Sequence, residues 1–243
     1  MKNTIKYETN ILSQRYLEIV LSDLTSIFSI FFQPIAVAFC IGLIWKDTQN
    51  TPTLHFVILF SAIFFGCINS CREIVKEKSI FERERISGLK ITSYILSKLY
   101  ILCILGFIQL LIFYFFIRFN IVLDGNQVLL FLSLYLSSIA GTSLGIAISA
   151  FVTTDVMALS LVPVFLIPQL LFSKLIMPNK SLSNITEIIE KSTIVKWGYD
   201  FLEQSVAKDH DYKIIFTSFF VLFFIIIILN FLSGLILKIK ELK

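Results

Sequence analysis

The sequence predicts an all-α integral membrane protein with six transmembrane helices. Its 243 residues are 56% hydrophobic and only 16% charged, with a mean hydropathy of +0.84, whereas about a quarter of the residues in a soluble domain are charged. A membrane-spanning helix needs about 20 apolar residues, and runs of about that length without Asp, Glu, Lys or Arg identify candidates. The runs are Leu24–Trp45, Thr48–Cys71, Leu99–Ile117, Gly125–Thr154, Val156–Ser173 and Ile214–Leu237.

Residues 1–23 precede the first run and predict a helix that lies at the membrane interface. Tyr16, Ile19 and Val20 share one helical face, and polar side chains occupy much of the remainder. By periodicity alone, an ordinary N-terminal helix fits equally well. The first apolar run is long enough to be a full span, so a cleavable signal peptide is not expected.

A block of mixed charge separates the second run from the third. The fourteen residues from Arg72 to Arg85 carry nine charges, and acidic and basic side chains are interleaved. A segment that only anchors the chain to anionic lipid would be clustered and basic. Mixed charges together with the apolar residues Ile74, Phe81 and Ile86 instead favour docking to a protein, although a solvated loop helix has the same composition.

The distribution of basic residues predicts that both termini and the charged block are cytoplasmic. Seven basic residues lie between Arg72 and Lys98, whereas the two short loops on the other side contain only Lys46 and Arg118. Lys and Arg accumulate in cytoplasmic loops. The net charge of +4 therefore reflects topology and does not indicate nucleic-acid binding. Residues 174–213 would form an outer segment that contains a short helix around Ile185–Lys191.

The fourth and fifth runs contain residues that affect helix packing. Small side chains recur at every fourth position of the fourth run, where Gly141 and Gly145 are the central pair, and such a ridge lets two membrane helices approach closely. Packing within the chain and dimerisation both fit this pattern. In the fifth run, Pro163 and Pro168 interrupt helical hydrogen bonding and indicate a kinked helix beside a cavity or a moving interface.

Several classes of function lack the residues that they require. The six runs contain no Asp or Glu, although ion-coupled transporters commonly use ionisable groups inside the membrane. The P-loop pattern G-x-x-x-x-G-K-[ST] is absent, so these residues alone cannot form a P-loop ATPase. No catalytic triad or metal-ligand spacing is present, and we expect no enzymatic site, no bound metal and no cofactor in this chain.

Three charged or polar motifs resemble those of a known family. The order of LSQR at 12–15, REIVKEKSIFERERISG at 72–88 and TSYILSKL at 92–99 resembles the membrane domain of type-2 ATP-binding-cassette (ABC) exporters, particularly the G subfamily. FSKLI at 172–176 is similar to an FSGLL-like stretch of that subfamily. The resemblance covers nearly the whole chain and implies one exporter-type transmembrane domain, residues 1–243.

The resemblance implies roles for individual residues. Phe65 falls at a substrate-stacking position, and Ile167 and Leu170 fall at positions that line a cavity. Leu175 and Ile176 fall at a hydrophobic outer gate, where the preceding Lys174 departs from the small residue of the family. A cytoplasmic coupling helix between the second and third spans, within a coupling segment of residues 72–90, is also implied. Contact with the ATPase subunit is implied for Arg15, Glu73, Glu77, Arg83, Glu84, Arg85 and Gly88.

The function that follows is that of an exporter permease in the bacterial cytoplasmic membrane. It would pair with a second copy or a similar chain and export a hydrophobic or amphipathic substrate. ATP and Mg²⁺ would bind to a separately encoded ATPase. The alternative is an immunity or sensor protein that does not transport and binds a partner through its outer segment. A neighbouring gene for a P-loop ATPase would favour the exporter.

Overall fold

The computed structural model describes residues 2–46, 51–173, 184–207 and 210–241, and these residues form helices and short connections without any β-strand. A 3-10 turn, Val75–Glu77, precedes the fourth α-helix. The α-helices are α1 Lys2–Ser22, α2 Leu24–Trp45, α3 Pro52–Ser70, α4 Lys78–Ile86, α5 Ile91–Asn120, α6 Gln127–Phe151, α7 Asp155–Leu171, α8 Asn184–Ser192, α9 Ile194–Val206 and α10 Tyr212–Glu241.

Within the residues that the structure describes, five helices are long and apolar enough to cross a membrane, namely α2, α3, α5, α6 and α10. They coincide with five of the six predicted runs, so the prediction of an all-helical protein with several apolar spans is confirmed. The remaining run, the fifth, corresponds to α7, which has only 17 residues and would extend about 26 Å, slightly less than the hydrocarbon core of about 30 Å. A sixth crossing by α7 stays a prediction.

The helical segment beyond α7 is more extensive than the sequence pattern indicated. The expected short helix is present as α8, and a further amphipathic helix, α9, follows it. The Thr193 side chain caps α9 by accepting a hydrogen bond from the backbone N–H of Lys196. Phe201 and Leu202 are buried against the bundle. Polar residues interleave with the apolar ones in α9, so a search for continuous apolar runs could not find it.

The centre of the bundle is the contact between α3 and α6. A Cβ atom on Gly141 would lie far inside contact distance of the Ile63 carbonyl oxygen, and one on Gly145 would lie 2.5 Å from the Cys67 carbonyl oxygen. The two backbones therefore touch, which requires glycine at both positions. Of the two readings left open for the small-residue ridge, the structure uses the ridge for packing within the chain.

Most of the α7 surface is exposed. Val162 and Leu166 are buried. Val164, Phe165 and Ile167 on the same helix are exposed over about half of their surface. The helix keeps its α-helical form through Pro163 and Pro168. Thr154 caps the start of the helix, because its hydroxyl accepts a hydrogen bond from the backbone N–H of Met157. This helix is thus attached along a narrow stripe and presents apolar side chains outward.

Replacing Gly145 with Ala should lower stability, because the added methyl group forces α3 and α6 apart. The expected loss is about 1–3 kcal/mol, the usual range for overpacking a close contact, measured as a lower midpoint of thermal unfolding in detergent. Gly106→Ala is the matched control, since its Cβ would meet only Ser138 Oγ at 3.9 Å. Equal midpoints for the two variants would contradict the proposed close contact.

Candidate functional site

Ionised side chains gather at one end of the bundle, which we call the charged end. It consists of α1, the charged segment (residues 72–90), the first turns of α5 and the last turns of α6 and α10. The charged segment is not one continuous coupling helix as the resemblance implied. It consists of turns, the 3-10 turn and the nine-residue helix α4, and this folded-back path lets it contact several helices.

A buried ion pair fixes the charged segment to α5. Lys98 is 1% exposed and Glu77 is 7% exposed, and Lys98 Nζ lies 2.6 Å from Glu77 Oε1. The same ammonium group lies 3.6 Å from the centre of the Tyr16 ring on α1, a favourable position for a cation over an aromatic face. One lysine thus connects α1, the charged segment and α5.

Tyr16 adds a hydrogen bond to this cluster. Its hydroxyl donates to Glu73 Oε2 at 2.6 Å. Burial, reinforced by the negative charge of Glu73, raises the pKa of Tyr16 well above its usual value. The phenol therefore stays protonated and remains a donor to Glu73.

A second ion pair connects α1 to α4. Arg15 donates through both terminal nitrogens to the two carboxylate oxygens of Glu84, and the longer contact, from Nη2 to Oε2, is 3.3 Å. Such a bidentate pair fixes the relative orientation of the two side chains. Because both groups are partly exposed, we expect the pair to add little to the stability of the fold. Its main effect is to orient α1 and α4 relative to each other.

Apolar contacts and backbone hydrogen bonds hold the charged segment from beneath. Ile74 and Phe81 are buried, and the Phe81 ring packs on that of Tyr94 with 4.6 Å between centroids. The backbone N–H groups of Ile74 and Val75 donate to Ser149 Oγ at 2.9 and 3.1 Å. Because Ser149 is the last small residue of the α6 ridge, that ridge serves both the helix contact and the charged segment.

The end of α4 requires glycine. Gly88 has φ of +98°, a left-handed conformation in which other residues are strained. The N–H of Gly88 donates to the Arg85 carbonyl at 3.0 Å and that of Leu89 to the Glu84 carbonyl at 3.2 Å. These two bonds form a Schellman motif. Gly88 therefore allows the reversal of the chain between α4 and α5, and its predicted contact with the ATPase stays a prediction.

The opposite face of α4 points away from the bundle. Glu82 and Arg83 are exposed, and Ile86 is 89% exposed. Arg85 lies at the side of the helix, half-buried, where its guanidinium donates to the Leu89 carbonyl. We call Glu82, Arg83 and Ile86 the outward face of α4.

The structure thus divides the residues that were predicted to contact an ATPase into two groups. Contacts within the chain are made by Arg15, Glu73, Glu77, Glu84, Arg85 and Gly88, whereas Arg83 lies on the outward face. Contact of any of them with an ATPase stays a prediction. Tyr16 and Lys98 also belong to this site, although neither was predicted for it. The sequence feature that could have identified Lys98 is its position directly before an apolar run. A cation at the edge of a membrane span usually has a specific partner.

Comparison with known proteins identifies the family. Residues 7–205 match the ABC-2 type transporter family, and this region extends from α1 nearly to the end of α9. The chain belongs to the ABC-2 type transporter family. The predicted resemblance is confirmed at this level, and the ABC-2 domain is the membrane component of an ABC transporter and not its ATP-hydrolysing part.

One curated relative combines two activities in its name. The ABC transporter ATP-binding/permease protein Rv1747 of Mycobacterium tuberculosis is 25% identical to this ABC-2 chain over 162 residues. The alignment covers 63% of this chain and 19% of the relative. The chain therefore spans about a fifth of the length of that protein.

The positions predicted for a substrate pathway fall in different environments of the ABC-2 fold. Phe65 is fully buried between α3 and α5, where its ring packs edge-on against Phe113 with 5.1 Å between centroids. Ile167 is 52% exposed, whereas Leu170 packs against the main core. Leu175 and Ile176 lie outside the described residues. The pathway and gate roles of these residues stay predictions.

A metal centre is not indicated in the part of the ABC-2 chain that the structure describes. No group of three or more His, Cys, Asp or Glu side chains is close enough there to hold a metal ion. The carboxylates of Glu73, Glu77 and Glu84 instead contact a hydroxyl group or a cation. This arrangement is suited to joining structural elements and offers no evident catalytic chemistry.

Replacing Lys98 with Met should destabilise the protein strongly, because Glu77 would remain buried without its cation. Removing one partner of a buried ion pair typically costs about 3–5 kcal/mol, which we expect to see as a large decrease in the midpoint of thermal unfolding. The double variant Lys98→Met with Glu77→Leu should recover most of that loss, since an apolar pair of similar size leaves no unpaired charge.

Lys191→Met is the matched control for this experiment. Lys191 pairs with Glu187 at the same distance of 2.6 Å, but both side chains are at least half exposed. Its removal should cost no more than about 1 kcal/mol. Similar effects of the Lys98 and Lys191 substitutions would show that burial does not determine the strength of these pairs.

Proposed function

We propose that this ABC-2 permease is the membrane subunit of an ATP-driven exporter and that the ATPase is a separate subunit which binds the outward face of α4. The observation that supports this proposal most directly is the exposed Ile86 beside Glu82 and Arg83, on a short helix whose other side is held by buried contacts. An exposed large apolar residue rimmed by charges is typical of a protein-docking surface.

The proposed orientation places the charged end in the cytoplasm, together with both termini. The count of basic residues in the short loops favours this orientation. ATP is cytoplasmic, so an ATPase that docks on α4 requires it. The proposed location is the cytoplasmic membrane of a bacterium, and the ATPase would supply the sites for ATP and Mg²⁺.

The contacts of α4 provide a path by which ATPase movement would reach the membrane helices. Arg15 and Glu84 join α4 to α1, and Glu77 and Lys98 join the preceding 3-10 turn to α5. Hydrogen-bonded ion pairs of this kind resist sliding because their geometry is specific. A displacement of α4 would therefore move α1 and α5 with it, which is the mechanical step that coupled transport requires.

The proposed transport pathway lies between two copies of this chain or between this chain and a similar one. The exposed apolar surface of α7, which includes Ile167, favours a partner helix or substrate of apolar character. A hydrophobic or amphipathic substrate is therefore proposed, with export as the direction. Phe65 and Leu170 would contribute after a rearrangement of α3 and α7, and Leu175 and Ile176 would form the outer gate.

The name of the relative from Mycobacterium tuberculosis is consistent with a membrane part and an ATP-binding part that work together. Its name describes an ATP-binding part and a permease part in one protein. The 243 residues here contain no P-loop pattern, so these residues do not themselves supply the ATP-binding part.

A photoreactive amino acid at position 86 tests the proposal. Expressed in the native host and irradiated in intact membranes, this variant should form a covalent adduct with a P-loop ATPase, identified by mass spectrometry. The matched control carries the same group at Val128, which is 76% exposed at the opposite end of the bundle, and should give no such adduct. Ile86→Ser should reduce co-purification of the ATPase at least tenfold, and Val128→Ser should not.

Two results would contradict the proposal. An ATPase adduct of equal yield at positions 86 and 128 would show that contact with α4 is not specific. Recovery of no ATPase from either position, together with a different protein captured through residues 184–207, would favour the immunity or sensor function instead.

A further inference from the structure

A small cavity lies inside the bundle, directly next to the charged end. Its volume is about 40 Å³, and α1, α2, α3, α5, α6 and the charged segment all contribute to its wall. Tyr16, Ile30 and Leu102 in this wall are buried. Much of the wall is therefore shielded from the surroundings of the protein, and we call this space the inner cavity.

The inner cavity lies on the boundary between two groups of helices. α5 packs mainly on α1 and α2, whereas α3 packs mainly on α6. Gly106 of α5 and Gly66 of α3 are both in the wall. A Cβ atom on Gly106 would meet only Ser138 Oγ, at 3.9 Å. Space is thus left between the two groups here, in contrast to the close contact at Gly145.

Polar groups from several elements face the inner cavity. Asn69 of α3, Thr142 of α6 and Glu73 of the charged segment are in its wall. The Thr142 hydroxyl donates to the Ser138 carbonyl at 3.0 Å, and one carboxylate oxygen of Glu73 accepts from Tyr16. Both groups can still accept further hydrogen bonds, because a hydroxyl oxygen and a carboxylate have several lone pairs. An apolar occupant would leave them without additional partners.

The amide of Asn69 leads from the inner cavity to a second buried amide. Its Nδ2 donates to Gln109 Oε1 at 2.6 Å. Gln109 is 1% exposed, and its Nε2 has no hydrogen-bond partner among the described residues. Gln109 lies three residues beyond Gly106, on the same side of α5. Buried donors that lack a protein partner are usually satisfied by water, so this pair favours a polar occupant beside Asn69.

Size and charge restrict what the inner cavity can hold. A water molecule needs about 10–15 Å³ of such space, so about three fit. Sites for organic ligands are larger, about 300–1,000 Å³, which excludes an acyl chain or a drug-like molecule. Arg72 and Glu73 are both in the wall, so a bare ion of either sign would lie beside a like charge.

We propose that the inner cavity binds a cluster of about three water molecules that hydrogen-bond to Asn69, Thr142 and Glu73. The cluster extends hydration from the charged segment to the pair of Asn69 and Gln109, which lies within helices long and apolar enough to cross a membrane. Bound water thus forms part of the connection between α3, α5 and the charged segment, where close packing of side chains is absent.

Hydroxyl-radical footprinting by X-ray pulses tests for this water. Irradiated water inside a protein oxidises the side chains next to it, and mass spectrometry measures the rate at each residue. Leu102 and Leu105 line the inner cavity and are 5% and 9% exposed. Leu136 and Leu144 of α6 are the matched controls, at 7% and 8% exposed. We expect the first pair to be oxidised at least fivefold faster than the second.

A variant that fills the inner cavity locates the water. Gly106→Val should reduce the oxidation of Leu102 and Leu105 to the rate of the control leucines, because its side chain would occupy the space of the water. Gly234→Val is the matched control, since a Cβ atom at Gly234 also has room, with Ile95 Cδ1 nearest at 3.5 Å. It should leave the oxidation of Leu102 and Leu105 unchanged.

Two outcomes would overturn the proposal. Equal oxidation of the cavity and control leucines in the wild-type chain would show that the cavity is dry. Rapid oxidation of Leu102 and Leu105 that persists in a folded Gly106→Val variant would place the water elsewhere. A misfolded variant would show faster oxidation of Leu136 and Leu144 as well, and the wild-type comparison then decides alone. The full-length chain is used without any ATPase, so the result is independent of the proposed transport function.

Discussion

The ion pair between Lys98 and Glu77 determines how the charged segment lies on the membrane helices. Neither group could remain ionised and buried without the other, because an unpaired charge in a low-dielectric environment is strongly disfavoured. Their contact of 2.6 Å therefore fixes the 3-10 turn against the first part of α5. The Tyr16 ring beneath the ammonium group brings α1 into the same arrangement, and the position of α4 follows from it.

The α6 ridge of small residues supports this arrangement from the membrane side. Gly141 and Gly145 allow α3 to touch α6, so the chain leaves α3 close to the end of α6. Ser149 can then accept two backbone hydrogen bonds from the charged segment. Close packing in the bundle and the placement of a polar surface outside it thus have one structural basis, since a wider separation of α3 and α6 would break both.

The charged segment has two faces with different consequences for function. Its inner face consists of groups that satisfy one another, and its outward face presents Glu82, Arg83 and Ile86. A surface that is both exposed and held rigidly is suited to receiving force from a partner, because motion of the partner is not lost in reorientation of the helix.

Local composition is enough to predict a helical membrane protein, the positions of five long spans, the unusual block of charge and the family that the motifs resemble. These features depend on local composition, since an apolar run of about 20 residues has few alternatives to a membrane helix. Only the tertiary contacts reveal three other features: the burial of Lys98, the inward orientation of Glu73 and Glu77, and the presence of α9. Each feature depends either on a partner that is distant in the sequence or on a helix surface that mixes polar and apolar residues. A linear pattern does not specify which side chains come into contact.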